Sequence, residues 1–140
     1  MKFTLIKPNR ADIEAQFEHL RPAFGGLSDA NVEFEHTTRL VREKRACFYH
    51  LEGDGVSLRF VGEAQQDGSY YVSALCGQGL EKGLPVFIDT VKGQGYARLK
   101  GQAIRPGIIK IYKKIGFSEV VEDGITHLTL ELGGEHGRTF

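Results

Sequence analysis

Cysteine is scarce in this chain of 140 residues, which contains only Cys47 and Cys76. They form no Cys-x-x-Cys pair, and neither they nor the five histidines follow the spacing of metal ligands. The sequence therefore argues against a disulfide framework and predicts no metal site. We expect both thiols to be reduced and buried, because cysteine then behaves as a small apolar side chain.

A charge excess and a long apolar run are also lacking. Lys plus Arg and Asp plus Glu number 18 each, so no basic surplus favours nucleic acid or acidic lipid. No apolar run approaches the roughly 20 residues that span a bilayer. Residues 1–8 turn polar too early for a signal peptide. The sequence therefore predicts a cytoplasmic protein with neither a nucleic-acid nor a membrane partner.

The remaining composition is that of an ordinary globular domain. The hydrophobic fraction is 41% and the charged fraction is 26%, both typical of a folded soluble chain. A chain of 140 residues suits one domain with one core. We find no internal repeat. The sequence predicts a single domain over residues 1–132 and a loose, glycine-rich tail over residues 133–140.

Hydrophobic periodicity and turn residues predict eleven elements. Asn9 is a candidate cap for the first helix, and Pro85 suits the first turn of a helix that Gly93 ends after roughly two turns. Gly116 is a natural terminator for the last helix. The predicted strands cover residues 3–6, 46–51, 56–64, 70–75, 96–100, 117–121 and 127–132, and the predicted helices cover 9–22, 28–45, 85–93 and 106–116.

The resulting order, β-α-α-β-β-β-α-β-α-β-β, resembles that of the GNAT (general N-acetyltransferase) superfamily. The segment 111–117, with Tyr112 followed by a charged pair, an aliphatic residue, glycine and phenylalanine, is similar to the family's last-helix signature. Residues 61–64 resemble the end of the family's third strand. The resemblance implies a GNAT-like α/β fold, with a central mixed, mostly antiparallel sheet of about seven strands and about four helices.

The resemblance also implies an activity, which is transfer of an acetyl group from acetyl-CoA to an amine of a small molecule or protein. In the family, the fourth strand binds the pantetheine arm, and the loop after it holds the pyrophosphate with backbone N–H groups and a helix N-terminus. A helix tyrosine protonates the leaving thiolate, and a base deprotonates the amine. The residues so implied are Tyr112 as acid and Glu63 as base, with Ala74, Leu75, Cys76, Gln78, Gly79, Lys82, Gly83 and Arg105 as cofactor contacts.

Two positions depart from the family pattern. If the loop motif starts at Gln78, Glu81 stands where the family has its first glycine, and a carboxylate there repels a pyrophosphate. A start two residues earlier puts Gly79 in the glycine position but loses the glutamine and places Glu81 last. Lys82 can supply compensating charge. Arg105 stands where many relatives carry an asparagine that binds the cofactor arm, and an arginine at a helix N-terminus opposes the helix dipole.

Each implied role has a structural alternative. Tyr112 lies among Ile108, Ile111 and Ile115, so it can be a packed core residue with a hydrogen-bonded hydroxyl. Residues 78–83 can be a plain strand-to-helix connection, and Glu63 can be a solvated strand residue.

These alternatives leave three functions open: an acyltransferase, a non-catalytic structural or interaction module with the GNAT fold, and an acyl-CoA-binding regulator. The hypothesis of a non-catalytic module is based on a similarity to GNAT-like proteins of tailed bacteriophages, some of which are virion proteins. A homodimer is also compatible with the fold by analogy.

Overall fold

The computed structural model describes residues 1–133. Within these residues the chain forms seven strands and four α-helices, and the predicted element order is confirmed. None of these helices combines the length and hydropathy needed to cross a bilayer. The elements are β1 Lys2–Leu5, α1 Ile13–Glu18, α2 Ala30–Arg42, β2 Cys47–Gly53, β3 Val56–Ala64, β4 Ser69–Gln78, α3 Leu80–Gly93, β5 Arg98–Ala103, α4 Pro106–Ile115, β6 Ser118–Glu122 and β7 Ile125–Glu131.

The seven strands have the order β1-β2-β3-β4-β5-β7-β6. The pairs β1–β2, β2–β3, β5–β7 and β6–β7 are antiparallel, whereas β4–β5 is parallel. Positive φ angles at Asp54 and Gly55, and again at Asp123 and Gly124, make the two tight turns that join β2 to β3 and β6 to β7. The predicted mixed, mostly antiparallel sheet is confirmed.

The chain divides into two compact units, which are described separately below. The first contains residues 1–63 and 73–83, and the second contains residues 64–72 and the chain from Leu84 onward. The single domain over residues 1–132 stays a prediction. Apart from Gly133, the predicted loose tail, residues 133–140, lies outside the described residues.

The first unit has a core built around stacked aromatic rings. Phe17 of α1 stacks on Phe48 of β2, with 5.7 Å between the ring centroids. Phe48 and its register partner Val61 are both 0% exposed. Burying a phenylalanine side chain stabilises a fold by roughly 1.5–3 kcal/mol, so this stack anchors α1 to the sheet. Further members of the same cluster are Ile6, Ile13, Leu20, Phe24, Phe34, Leu40, Val41, Ala46 and Ala74.

The second unit has an aromatic core of its own. Tyr70 of β4 packs against Phe87 of α3 and against Tyr96, at centroid distances of 6.3 and 5.2 Å. Tyr112 of α4 meets the ring of Phe117 edge-on at 4.9 Å. Aromatic pairs in this geometry stabilise beyond their buried area. These contacts fix α4 relative to the start of β6.

The prediction of one helix over residues 9–22 is wrong. The structure has a short α1 followed by a separate 3₁₀ turn, Arg21–Phe24. Asn9 caps nothing, because the helix begins only at Ile13, with Asp12 at its N-cap position. Pro22 lies in the first turn of the 3₁₀ segment, where a missing N–H costs no hydrogen bond. The proline therefore starts a second turn as well as ending the first helix.

The predicted start of the third helix at Pro85 is also wrong. Helix α3 has 14 residues and contains Pro85 in its interior. The carbonyl of Gly79 accepts hydrogen bonds from the N–H groups of Lys82 and Gly83, so the helix is already closed before the proline. A proline inside a helix removes one backbone hydrogen bond, and here the packing of the longer helix outweighs that loss.

Strand bounds differ from prediction by a few residues. Strand β4 extends to Gln78 instead of residue 75, and β5 spans Arg98–Ala103 instead of 96–100. Strand β7 begins at Ile125 because the tight turn places that residue opposite Glu122. The extension of β4 matters most, since Gln78 then closes a strand and does not open a loop.

The prediction that both thiols are buried is wrong. Cys47 is exposed and Cys76 is half-buried, and both are free. Cys47 precedes the buried Phe48 in β2, so strand alternation turns its side chain away from the core. Burial raises the pKa of the Cys76 thiol, which donates to the carbonyl of His19 at 3.1 Å.

Candidate active site

Strand β4 pairs with β5 over only a short stretch. The register consists of three pairs: Ser69 with Arg98, Tyr70 with Leu99 and Tyr71 with Lys100. Strand β4 then continues to Gln78 without a β5 partner among the described residues. Within residues 1–133, the backbone groups of this strand end therefore have no β5 ladder partner.

A glycine-rich turn joins the end of β4 to α3. Gly79 precedes Leu80, the first residue of the helix, and its carbonyl accepts from Lys82 N–H at 3.1 Å and Gly83 N–H at 2.8 Å. This arrangement leaves the N–H groups of Gly79, Leu80 and Glu81 without an acceptor inside the helix. Three consecutive amides at a helix N-terminus form a site suited to an anion.

The turn rests directly on the hairpin between β2 and β3. A Cβ atom added at Gly77 would overlap the carbonyl oxygen of Ser57, and one at Gly79 would come within 2.9 Å of the carbonyl oxygen of Gly55. A Cβ at Gly83 would come within 2.6 Å of Leu58. Glycine is thus required at 77 and 79 by close approach to the hairpin backbone, whereas Gly83 meets only side-chain atoms. The sequence pattern alone does not show this reason.

Lys82 is held by the same hairpin. Its Nζ donates a hydrogen bond to the carbonyl oxygen of Asp54 at 2.9 Å. The lysine was predicted to offset the charge of Glu81, and in the structure its ammonium group is directed to the hairpin turn. Both side chains are exposed. Glu81 itself lies in the first turn of α3, where a carboxylate favours the helix dipole but opposes a second anion.

We expect Glu81→Gln to tighten binding of acetyl-CoA about two- to fivefold, because it removes a repulsion between the carboxylate and the diphosphate of about 1 kcal/mol or less in water. Glu33→Gln is the matched control, since Glu33 is also an exposed carboxylate in the first turn of a helix, α2. Titration calorimetry at low salt would measure both variants. Equal affinities for Glu81→Gln and the parent protein would contradict the repulsion.

The second unit contains Tyr112 and Arg105. Tyr112 is 9% exposed, and burial raises the pKa of its phenol well above the usual range. Arg105 is exposed and occupies the N-cap position of α4 in an extended conformation. Its carbonyl accepts hydrogen bonds from Ile108 and Ile109, and its side chain makes no capping bond.

The predicted site residues are therefore divided between the units. The first unit brings together the strand end and the turn, namely Ala74, Leu75, Cys76, Gln78, Gly79, Lys82 and Gly83, and it also contains Glu63. Ala74 is buried, while Glu63 and Leu75 are half-buried. Tyr112 and Arg105 belong to the second unit. The roles of all these residues stay predictions.

One polar group in the first unit was not anticipated. Arg59 and Ser57 alternate with buried apolar residues along β3, a pattern that normally indicates a solvated strand face. In the structure both side chains are half-buried, and they contact Gln16 and His50 respectively. In the sequence, the alternation along β3 together with a histidine on the preceding strand could have indicated this polar group. No group of three His, Cys, Asp or Glu side chains suited to a metal occurs within residues 1–133.

Several acetyltransferases of known structure are similar to this chain. An IAA acetyltransferase from Bacillus cereus is 16% identical, with a TM-score of 0.58 over 93% of this chain and 98% of that one. The ribosomal-protein-S18-alanine N-acetyltransferase from Escherichia coli is 15% identical, with a TM-score of 0.61 over 94% of each chain. A Bacillus subtilis acetyltransferase in complex with CoA is 14% identical, with a TM-score of 0.58 over 93% and 97%.

No model of a known protein family matches the sequence, and no curated protein matches it. Sequence identities of 11–17% to the solved structures show the fold alone. The chain adopts the GNAT fold, the fold of the acetyltransferases with which it aligns over nearly its whole length.

Proposed function

We propose that the protein is an N-acetyltransferase that moves an acetyl group from acetyl-CoA to an amine of a small molecule or a protein. The observation that carries this proposal is the end of β4, which loses its β5 partner after Tyr71 and leads into the N-terminus of α3. Acetyltransferases of the same fold support it, and one of them was solved in complex with CoA.

In our proposal the backbone of the first unit binds the polar parts of acetyl-CoA. The N–H groups of Gly79, Leu80 and Glu81 would hold the diphosphate, and the unpaired edge of β4 at Ala74 to Cys76 would bond the pantetheine amides. Gln78 would contribute its side-chain amide from the end of the strand. Arg105 stays a proposed contact for a phosphate group.

Acetyl-CoA supplies the acyl group as a thioester. In our proposal Glu63 accepts the proton that the attacking amine loses, directly or through water. A backbone N–H of residues 74–76 stabilises the negative charge on the carbonyl oxygen. The new C–N bond replaces the C–S bond, and Tyr112 donates its proton to the departing thiolate. The products are the acetylated amine and free CoA.

Binding of acetyl-CoA gives the first test. A ligand present at about 100 times its Kd stabilises a folded protein by about 2.7 kcal/mol, which corresponds to a melting temperature rise of roughly 10 °C for a chain of this size. Differential scanning calorimetry with 1 mM acetyl-CoA would measure it. S-acetylpantetheine, which lacks the diphosphate, is the control ligand and should give a much smaller rise. An unchanged melting temperature with acetyl-CoA would remove the proposal.

A non-catalytic module with the GNAT fold is the second candidate function, including a structural or virion component of a phage. The observation that favours it is Glu81, an exposed carboxylate beside the amides that would hold the diphosphate. Such a module would show neither acetyl-CoA binding nor acetyl transfer. A cytoplasmic location, a homodimeric state and the lack of a nucleic-acid partner remain predictions.

A further inference from the structure

One face of the β2–β3 hairpin changes from apolar to polar along its length. Phe48 and Val61 face each other in the core, and the next pair on the same face is His50 opposite Arg59. Directly paired side chains lie on one side of the sheet, with Cβ atoms about 5 Å apart. The pair after that is Glu52 opposite Ser57. We call His50, Ser57 and Arg59, together with Gln16 of α1, the Arg59 recess.

Arg59 has a half-buried guanidinium group without a carboxylate partner. Its Nε donates to Oε1 of Gln16 at 3.1 Å. No acidic side chain among residues 1–133 lies within 4.0 Å of its nitrogen atoms. Burial is the main cause that lowers its pKa, and the charges of Cys76 and Glu52 oppose that shift without forming an ion pair. An arginine usually compensates such desolvation with an ion pair, and this one has its Nη edge available for a planar anion.

The residues around Arg59 orient it and do not neutralise it. The amide Nε2 of Gln16 donates to Asp12 at 2.9 Å, which turns the amide oxygen toward Arg59. Asp12 itself forms an ion pair with Arg10 at 2.6 Å. The Asp12 carboxylate is therefore already paired with Arg10. It acts on Arg59 only through Gln16, whose amide oxygen fixes the direction of the guanidinium group.

His50 and Ser57 complete the recess as neutral hydrogen-bonding groups. His50 Nε2 lies 2.9 Å from Ser57 Oγ, and its Nδ1 lies 3.9 Å from Glu52. Burial, followed by the charge of Arg59, lowers the pKa of His50. The imidazole is therefore uncharged at neutral pH, and Arg59 is the cation of the recess.

We propose that the Arg59 recess binds a carboxylate group, held by the two Nη atoms of Arg59, and that this carboxylate belongs to the amine that accepts the acetyl group, because Arg59 lies on the same strand, β3, as the proposed base Glu63. The acceptor would then be an amine of the amino-acid type. The second half of this inference rests on the proposed function, whereas the carboxylate site does not.

The charges favour a carboxylate over a phosphate. Arg59 is one positive charge, the exposed Glu52 lies on the same face, and Arg10 is offset by Asp12. Among the described residues, Arg59 is the one cation of the recess without an ion pair, so it can compensate a monoanion, while a phosphate dianion would bring uncompensated negative charge beside Glu52. The planar guanidinium edge matches the two coplanar oxygens of a carboxylate.

Nuclear magnetic resonance of the ¹⁵N-labelled full chain tests the site without acetyl-CoA. The probes are butanoate, butanamide and inorganic phosphate, and the signal is the Nε–Hε resonance of Arg59. We expect butanoate to shift this resonance saturably. Butanamide should bind at least tenfold more weakly, since a charge-assisted hydrogen bond is worth about 1.5–3 kcal/mol. Phosphate binding as tight as that of butanoate, or no saturable shift with butanoate, would overturn the proposal.

Variants of Arg59 separate recognition from packing. Arg59→Lys keeps the charge and loses the planar fork, so butanoate binding, followed on backbone amides, should weaken at least threefold. Arg39→Gln is the control, because Arg39 is an exposed arginine of α2 outside the recess, and it should leave binding unchanged. Butanoate binding unaffected by Arg59→Lys and by Arg59→Gln would overturn the assignment.

Acetyl transfer then tests the acceptor class separately. With acetyl-CoA, amino acids should be acetylated in preference to their amides, and Arg59→Lys should raise KM for the amino acid with little change in kcat. Equal rates with acids and amides would overturn the acceptor assignment. If butanoate binds as expected but acetyl-CoA does not, the carboxylate site stands and the acetyltransferase proposal falls.

Discussion

Gly77→Ala is expected to lower the free energy of unfolding by about 3–5 kcal/mol, the sum of a backbone penalty and overpacking. Gly77 has a φ of +132°, which side chains rarely adopt, and its Cβ position overlaps the backbone carbonyl of Ser57. A carbonyl in a paired strand cannot rotate away as a flexible side chain can. Thermal unfolding followed by circular dichroism should show a melting temperature lower by roughly 10–20 °C.

Gly55→Ala is the matched control for that experiment. Gly55 also has a positive φ, +82°, but a Cβ added there meets no atom within 4 Å. Its replacement should therefore cost only about 1–2 kcal/mol, the backbone penalty alone. The difference between the two variants isolates the contact between the turn and the hairpin. If both variants lose the same stability, the close packing of Gly77 on Ser57 is not a stabilising constraint.

Tyr112→Phe is expected to reduce acetyl transfer by about 100-fold or more, because general acid catalysis contributes about 10²–10⁴ in rate. The phenyl ring should keep its edge-on contact with Phe117, at 4.9 Å, so that the melting temperature changes little. Since burial raises the pKa of the phenol, Tyr112 holds its proton throughout the neutral range. The parent enzyme should therefore show no loss of rate from Tyr112 ionisation at mildly alkaline pH.

Tyr96→Phe provides the comparison, because Tyr96 is half-buried, packs on Tyr70 and has no proposed part in the chemistry. Steady-state rates and unfolding curves would be recorded for both variants. Unchanged turnover together with a clear loss of stability in Tyr112→Phe would assign Tyr112 to the core and leave the thiolate without this proton donor.

The order of elements could be predicted because each element carries a local signal. The alternation around Leu58, the turn residues Asp54 and Gly55, and the terminator Gly116 all act over a few positions. The start of α3 could not be predicted in this way. Pro85 is the strongest local signal in that region, and it was overruled by the contact of Gly79 and Gly83 with a hairpin far away in sequence.

The candidate site was predictable only in part for the same reason. The turn after β4 was found from its glycines and from the family resemblance, but the direction of Lys82 toward Asp54 depends on tertiary packing. The Arg59 recess was missed because it requires the register of β2 on β3 and the position of Gln16 on α1. A single strand with polar residues at alternate positions does not reveal whether a helix covers them.

Gly77, Gly79 and Gly83 lie close to residues 55–58. In the proposed acetyl-CoA site, the hairpin would therefore influence affinity without touching the ligand. The amides at the start of α3 are pre-organised only while that hairpin keeps its shape, since ordering a loop on binding consumes affinity. A side-chain truncation at Val56 or Leu58 would then appear in an enzyme assay as weaker saturation by acetyl-CoA. Such a result would resemble the loss of a ligand contact, although the altered side chain lies in the supporting hairpin and does not touch the ligand.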